Sequence, residues 1–138
     1  MSSGNVPSRP GFSLIGPALA LLAFSVWAFF SVWPGYMRTS GAFRIREAWD
    51  TGAFWLYGAP LMVCAQVLAG AFTRGELWKQ PLWTIGGLFA GMLLVRKSGT
   101  DFGLLPLALI FVGAPSYAVL LVAAAVGRAV GKRMGRGG

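Results

Sequence analysis

The sequence predicts an all-α polytopic membrane protein, a four-transmembrane-helix antiparallel bundle. Two observations carry this. Of the 138 residues, 56% are hydrophobic and only 12% are charged, whereas a soluble globular domain has about 25% charged residues. The charges are also separated by long intervals: residues 10–37, 51–73, 80–95 and 102–127 contain none, in runs of 28, 23, 16 and 26. A helix needs about 20 apolar residues to cross the roughly 30 Å hydrocarbon core of a bilayer, and loops hold the charge that spans cannot. On a soluble scaffold a net charge of +8 would suggest a nucleic-acid partner. Interleaved with apolar runs it points instead to the lipid bilayer and away from nucleic acid.

The elements follow in order. Residues 1–11 form a short tail with one cation, Arg9, and the apolar run after it is too long for a signal-peptide core. The segment "SVWPGYM" is a poor cleavage site, so an uncleaved first helix is predicted over about 12–33, stopped by Pro34-Gly35. The first loop is the longest. A second helix spans about 52–72 and a third about 79–95. The third charge-free run gives about 24 Å at 1.5 Å per residue, which is short. Trp78 and Trp83 can anchor one end while Lys79 snorkels to water, and local bilayer thinning costs only fractions of a kcal/mol per Å. A re-entrant hairpin is the alternative for that run. The fourth helix spans about 102–127, and a basic, Gly-rich tail, 128–138, follows. Short second and third loops predict that consecutive helices are antiparallel neighbours.

Cations set the orientation. Arg9, Arg74, Lys79, Arg128, Lys132, Arg133 and Arg136 fall on one side; Arg38, Arg44, Arg46, Arg96 and Lys97 fall on the other. The larger group favours both termini in the cytoplasm, although the first helix alone points the opposite way. The dense C-terminal cluster is the strongest local feature, and it suits a surface of anionic lipid.

The most polar stretch is "FRIREAWDTGAFW", Phe43 to Trp55. Asp50 or Thr51 is placed to cap the second helix, where acceptors satisfy free N–H groups and a negative charge suits the positive dipole end. Trp49 and Trp55 read as interfacial anchors. Phe43 to Trp49 fits either a short interfacial helix, with Arg46 and Asp50 paired four apart, or an extended segment. The competing reading gives Arg46, Glu47 and Asp50 to a polar mouth for a ligand, a lipid headgroup or a partner.

Chemistry within the spans is sparse. They carry no Asp, Glu, Arg or His, and Lys79 only at an edge, which removes the usual marks of proton relays and ion paths. The chain has no His, so His-ligated haem, copper and di-iron sites are excluded, as are Ser–His and Cys–His nucleophile pairs. Neither a catalytic residue nor a metal or cofactor site is predicted, and the chain is read as no enzyme. The rival is a first-loop site with Glu47 and Asp50 as acid and base. The single cysteine, Cys64, permits no intrachain disulfide. Gly87 and Gly91, in "GLFAG", form a small-xxx-small motif for close helix approach, within the bundle or in a dimer. Gly113 and Pro115 interrupt the fourth helix as a packing kink, with a hinge or cavity lining as the sharper option. Gln66, an amide within a span, can bond to a neighbouring helix. This inventory favours a scaffold or accessory subunit of a membrane assembly over a small transporter or channel component, whose passage needs polar groups along its wall.

Two segments, "EAWDTGAFWLYGAPLM" and "FGLLPLALIFVGAPSYAVLL", resemble a group of small bacterial four-helix inner-membrane proteins with a WD…W…G.P entry to the second helix and an LPL.LI start to the last. The matching positions are Trp49, Asp50, Trp55, Gly58, Pro60, Leu105, Pro106, Leu107, Leu109 and Ile110. The resemblance implies a multi-pass protein of the bacterial cytoplasmic (inner) membrane. It carries over no catalytic residue.

Overall fold

A computed structural model describes residues 14–36, 48–73, 75–95 and 105–135, with the backbone alone for 33–36, 50, 105 and 108. Its described residues are helical, with no strand among them. Helix α1 is Ile15–Tyr36. A 3₁₀ turn, Ala48–Asp50, leads into α2, which opens on a π-helical turn at Phe54–Gly58 and continues as Ala59–Phe72. Helix α3 is Lys79–Leu94. Helix α4 comprises Leu105–Ala108, a second π-helical turn at Leu109–Gly113, and Ala114–Met134. In α1, α2 and α4 the segments Ile15–Val32, Phe54–Phe72 and Leu109–Met134 are long and apolar enough to cross a membrane; α3, of 16 residues, is shorter.

Two boundaries differ from expectation. Helix α1 continues through Pro34 to Tyr36, because a proline in the last turn removes a single N–H from the ladder. Helix α4 runs past Gly127 to Met134, so the expected tail begins as helix. Arg and Lys are good helix formers, and Lys132 and Arg133 in the last turn complement the negative end of the dipole. Arg136 lies outside the described residues, as do the first eleven residues.

Both π turns precede a proline in the same tripeptide, Gly58-Ala59-Pro60 and Gly113-Ala114-Pro115. Pro60 has no N–H to offer the carbonyl four residues earlier. The ladder widens by one residue instead, and the Ala59 N–H donates to the Phe54 carbonyl. The interruption predicted at Gly113 and Pro115 is therefore a π-helical widening, and it has a counterpart in α2.

Consecutive helices are not the closest neighbours. The dense contacts join α1 to α3 and α2 to α4, while contacts between those two pairs are sparser. Small residues decide this. A Cβ on Gly87 would collide with the Ala20 backbone carbonyl, and one on Gly91 would sit 2.9 Å from Trp27 Cβ. One on Gly16 would reach the Trp83 ring at 2.6 Å. These contacts advance along α1 and α3 together, so the two helices run parallel. In the other pair, Gly70 abuts the Ala124 carbonyl, Gly127 the Val67 carbonyl and Gly131 the Ala71 carbonyl, again in parallel register. Backbones approach this closely only where no side chain intervenes. Gly87 and Gly91 are thus occupied within the bundle.

The connections complete the frame. Arg128, on α4, donates to the carbonyls of Thr73 (3.5 Å) and Gly75 at the end of α2. It is thereby committed to loop carbonyls left free by helix termination. Tyr117 Oη donates to the Trp78 carbonyl at 3.2 Å. Glu76 and Lys79 pair at 2.8 Å, and that hydrogen bond, with the lysine's charge, holds the Glu76 carboxyl below its usual range. Both side chains are more than half exposed, so the pair adds little stability.

The glycine contacts make a direct prediction. Gly127→Ala and Gly87→Ala should each lower stability in detergent by about 1–3 kcal/mol, the usual cost of overpacking. Gly86 has open space where its Cβ would be, so Gly86→Ala should be neutral or stabilising by up to about 1 kcal/mol. Thermal melts of the three variants check this ordering.

Candidate functional site

The C-terminal half of α1, the 3₁₀ turn, the π turn of α2, the C-terminal half of α3 and the N-terminal half of α4 meet at one end of the molecule. This shared end also shows that consecutive helices are antiparallel. Trp27 of α1 is the centre of the assembly, 2% exposed. Trp49 stands edge-on to it, with ring centroids 4.9 Å apart, and Phe54 packs on it at 6.1 Å. Phe30 meets Phe54 at 6.1 Å, and Trp55 meets Phe54 at 5.3 Å. All four pairs are edge-to-face, the arrangement that aromatic quadrupoles favour. Gly58 lets α1 come close, since a Cβ there would lie 3.0 Å from Phe30 and Val26.

A local hydrogen-bond set fixes the turn that delivers Trp49. The Thr51 N–H and hydroxyl both donate to the Ala48 carbonyl, at 3.1 and 2.6 Å. Thr51 Oγ1 accepts from the Phe54 N–H at 3.3 Å, which is an N-cap contact. Trp55 Nε1 donates to the Trp49 carbonyl at 2.8 Å, so the exposed indole is tethered across the turn. Of the two cap candidates in the sequence, Thr51 makes the contact. Asp50 ends the 3₁₀ turn, and its side chain is outside the described atoms. Arg46 and Glu47 lie outside the described residues, as does the stretch Phe43 to Glu47, so the polar mouth and the short interfacial helix do too.

Between the helix pairs, next to this aromatic cluster, is a cavity of about 360 Å³. Both π turns contribute to its wall, through Phe54 and Trp55 on one side and Phe111, Val112 and Gly113 on the other. Helix α3 closes it with Ile85, Leu88, Phe89 and Met92. Pro115 and Ser116 line it as well, and Ser116 is the one hydroxyl of the lining. Gly113 and Pro115 thus form part of a cavity wall, the sharper of the two roles the sequence offered.

Polar side chains gather instead toward the other end. Gln66 is fully buried; its Oε1 accepts from Thr84 Oγ1 at 2.8 Å, and its Nε2 donates to Gln80 Oε1 at 3.4 Å. The amide therefore joins α2 to α3, across the looser junction between the pairs. Ser25 donates to the Leu21 carbonyl of its own helix at 2.8 Å. Among the described residues no three His, Cys, Asp or Glu side chains come together, and Cys64 is exposed and free.

No sequence motif marks Gln80, Trp27, Gly70 or Gly127, and Thr84 stands out only as a polar residue in an apolar run. The one signal that could have revealed the cavity is the repeated Gly-Ala-Pro, which announces two matching interruptions. Comparison with protein families, curated proteins and solved structures finds no match to this chain.

Because the cap resides on a hydroxyl, Thr51→Ser should leave stability nearly unchanged. Thr51→Ala should lower it by about 0.5–2 kcal/mol and loosen Trp49. Thermal melts with tryptophan emission report both effects, and Thr51→Ala matching the parent in both would contradict the cap.

Proposed function

We propose that the chain is a multi-pass protein of the bacterial inner membrane that acts, without catalysis, as a scaffold or accessory subunit of a membrane assembly. In this proposal all four helices cross the bilayer, α3 at a thinned or tryptophan-anchored site, and both termini face the cytoplasm. The observation that carries the reading is the use of the polar side chains. Gln66, Gln80 and Thr84 bond to one another across α2 and α3, and Arg128 bonds to loop carbonyls. None of these side chains lines the cavity, whose wall is apolar apart from Ser116 and its tryptophan N–H groups. A solute passage needs hydrogen-bonding or charged groups along its length. The outward faces, by contrast, carry large apolar side chains from Leu21 and Phe29 to Leu61, Leu68, Leu94, Val122 and Val126, which suits contact with lipid or with another membrane protein. Lys132 and Arg133, in the exposed last turn of α4, would meet anionic lipid at the cytoplasmic surface.

Two measurements test the proposal. Purified chain in proteoliposomes should give no selective solute flux above empty vesicles, and affinity capture from native membranes should return a stoichiometric membrane-protein partner or a self-assembly. Robust selective flux from the chain alone would replace this reading with a transporter or channel. A reporter fused after Gly138 should be active only as a cytoplasmic fusion; periplasmic activity would reverse the orientation.

A further inference from the structure

We propose that the cavity between the two helix pairs is a binding site for one acyl chain of a membrane phospholipid. The inference rests on the membrane reading above. A buried water needs two to four polar partners, and here the side chains offer the Ser116 hydroxyl and tryptophan N–H groups, that of Trp27 buried without a partner, and no charged group. The Trp55 N–H is already given to the Trp49 carbonyl. These few groups can hold a water at one point but cannot fill a space of this size with it. Emptiness is also unfavourable, since lining atoms beside a void lose their dispersion contacts outright. Apolar cavities of about 150 Å³ already take up benzene-sized guests, and this one is about 360 Å³.

Shape and supply select the guest. A helix is about 10–12 Å across, so a single turn would more than fill the space, which argues against a segment of another helix. Ligands with polar functions are oriented by a few placed polar groups in their pockets, and this lining has almost none. A slender hydrocarbon chain fits both limits. Inside a bilayer such chains are the solvent, so occupancy requires only weak preference for the site over bulk lipid. The mouth is bordered by residues that are themselves on the outer surface: Trp55, Phe111 and Val119, all more than half exposed. An acyl chain can enter there from the side. The π turns hold the bay open, because each widens its helix at the cavity wall.

The test uses the full chain in vesicles of phosphatidylethanolamine and phosphatidylglycerol containing a trace of phosphatidylglycerol with a diazirine in one acyl chain. After photolysis, peptide mapping should find adducts on Phe89, Met92 and Leu88 several-fold above those on the outward-facing Leu61, Leu68 and Leu94. Gly113→Leu is the filling variant: the nearest neighbours of a Cβ there are side-chain atoms of Phe89 at 3.6 Å and Leu109 at 3.9 Å, ordinary contacts that leave room for the added side chain to enter the cavity. It should lower the lining adducts at least fivefold. Gly86→Leu, equal in bulk but in open space, should change them less than twofold. Ser116→Phe is the second filling variant, should Gly113→Leu prove unstable. Adducts on the outward residues without enrichment in the lining would overturn the proposal while leaving membrane insertion intact. Absence of adducts from both sets would overturn the membrane reading and the site together. Lining adducts undiminished by either filling variant would place the lipid elsewhere, and their selective loss to excess ubiquinone would make the occupant an isoprenoid quinone; either result overturns the proposal.

Discussion

Backbone contact at glycine is the constraint on which this structure depends. Where Gly87 meets the Ala20 carbonyl and Gly127 the Val67 carbonyl, two helices touch with no side chain between them. Such surfaces gain dispersion and weak Cα–H contacts over a long, smooth seam. Each seam joins helices that are not consecutive in the chain, α1 with α3 and α2 with α4. The loops then have only to link two ready-made parallel pairs, and the contacts between the pairs can be few.

That division explains where the polar and aromatic residues lie. The junction between the pairs cannot be closed by glycine contact along its whole length, so different devices close its two ends. Toward the second loop, Gln66 of α2 bonds to Thr84 and Gln80 of α3, a directional link in surroundings where an unmade bond is costly. Toward the first loop, Trp27, Trp49, Phe54 and Phe30 close it with rings at edge-to-face angles. Rings are large and rigid, and two widened π turns adjoin them. The cavity is the space left between these devices.

The existence of four helices was legible because charge is excluded from long runs, a pattern that survives in any helical arrangement. Pairing was not. Loop length suggested consecutive neighbours, but loop length constrains only where a helix begins and ends, whereas the small residues Ala20, Gly70, Ala124 and Gly127 set which surfaces fit. Gly87 and Gly91 were visible as a motif, yet their counterparts on α1, Ala20 and Trp27, have no motif to show. The cap was narrowed to Asp50 or Thr51, since either side chain can accept; the contact that Thr51 makes comes with a second bond, to the Ala48 carbonyl, which depends on the 3₁₀ turn. Gln66 read as an assembly residue because an amide in an apolar run must find a partner, and which partner depends on register. Composition assigns Arg128 to a basic, Gly-rich tail that suits anionic lipid, whereas its side chain reaches back to the second loop through a contact across 53 residues of sequence.

The parallel pairing is tested most directly by cysteine cross-linking. With Cys64 changed to Ser, Ala71→Cys and Gly131→Cys place sulfurs across the α2–α4 seam, where a Cβ on residue 131 lies 3.1 Å from the Ala71 Cα. Gly16→Cys with Trp83→Cys does the same for α1 and α3. Mild oxidation in the membrane should join each pair within the monomer, as read by peptide mass spectrometry. Failure of both pairs to cross-link, in variants that still melt cooperatively, would contradict the glycine seams as the organising contact.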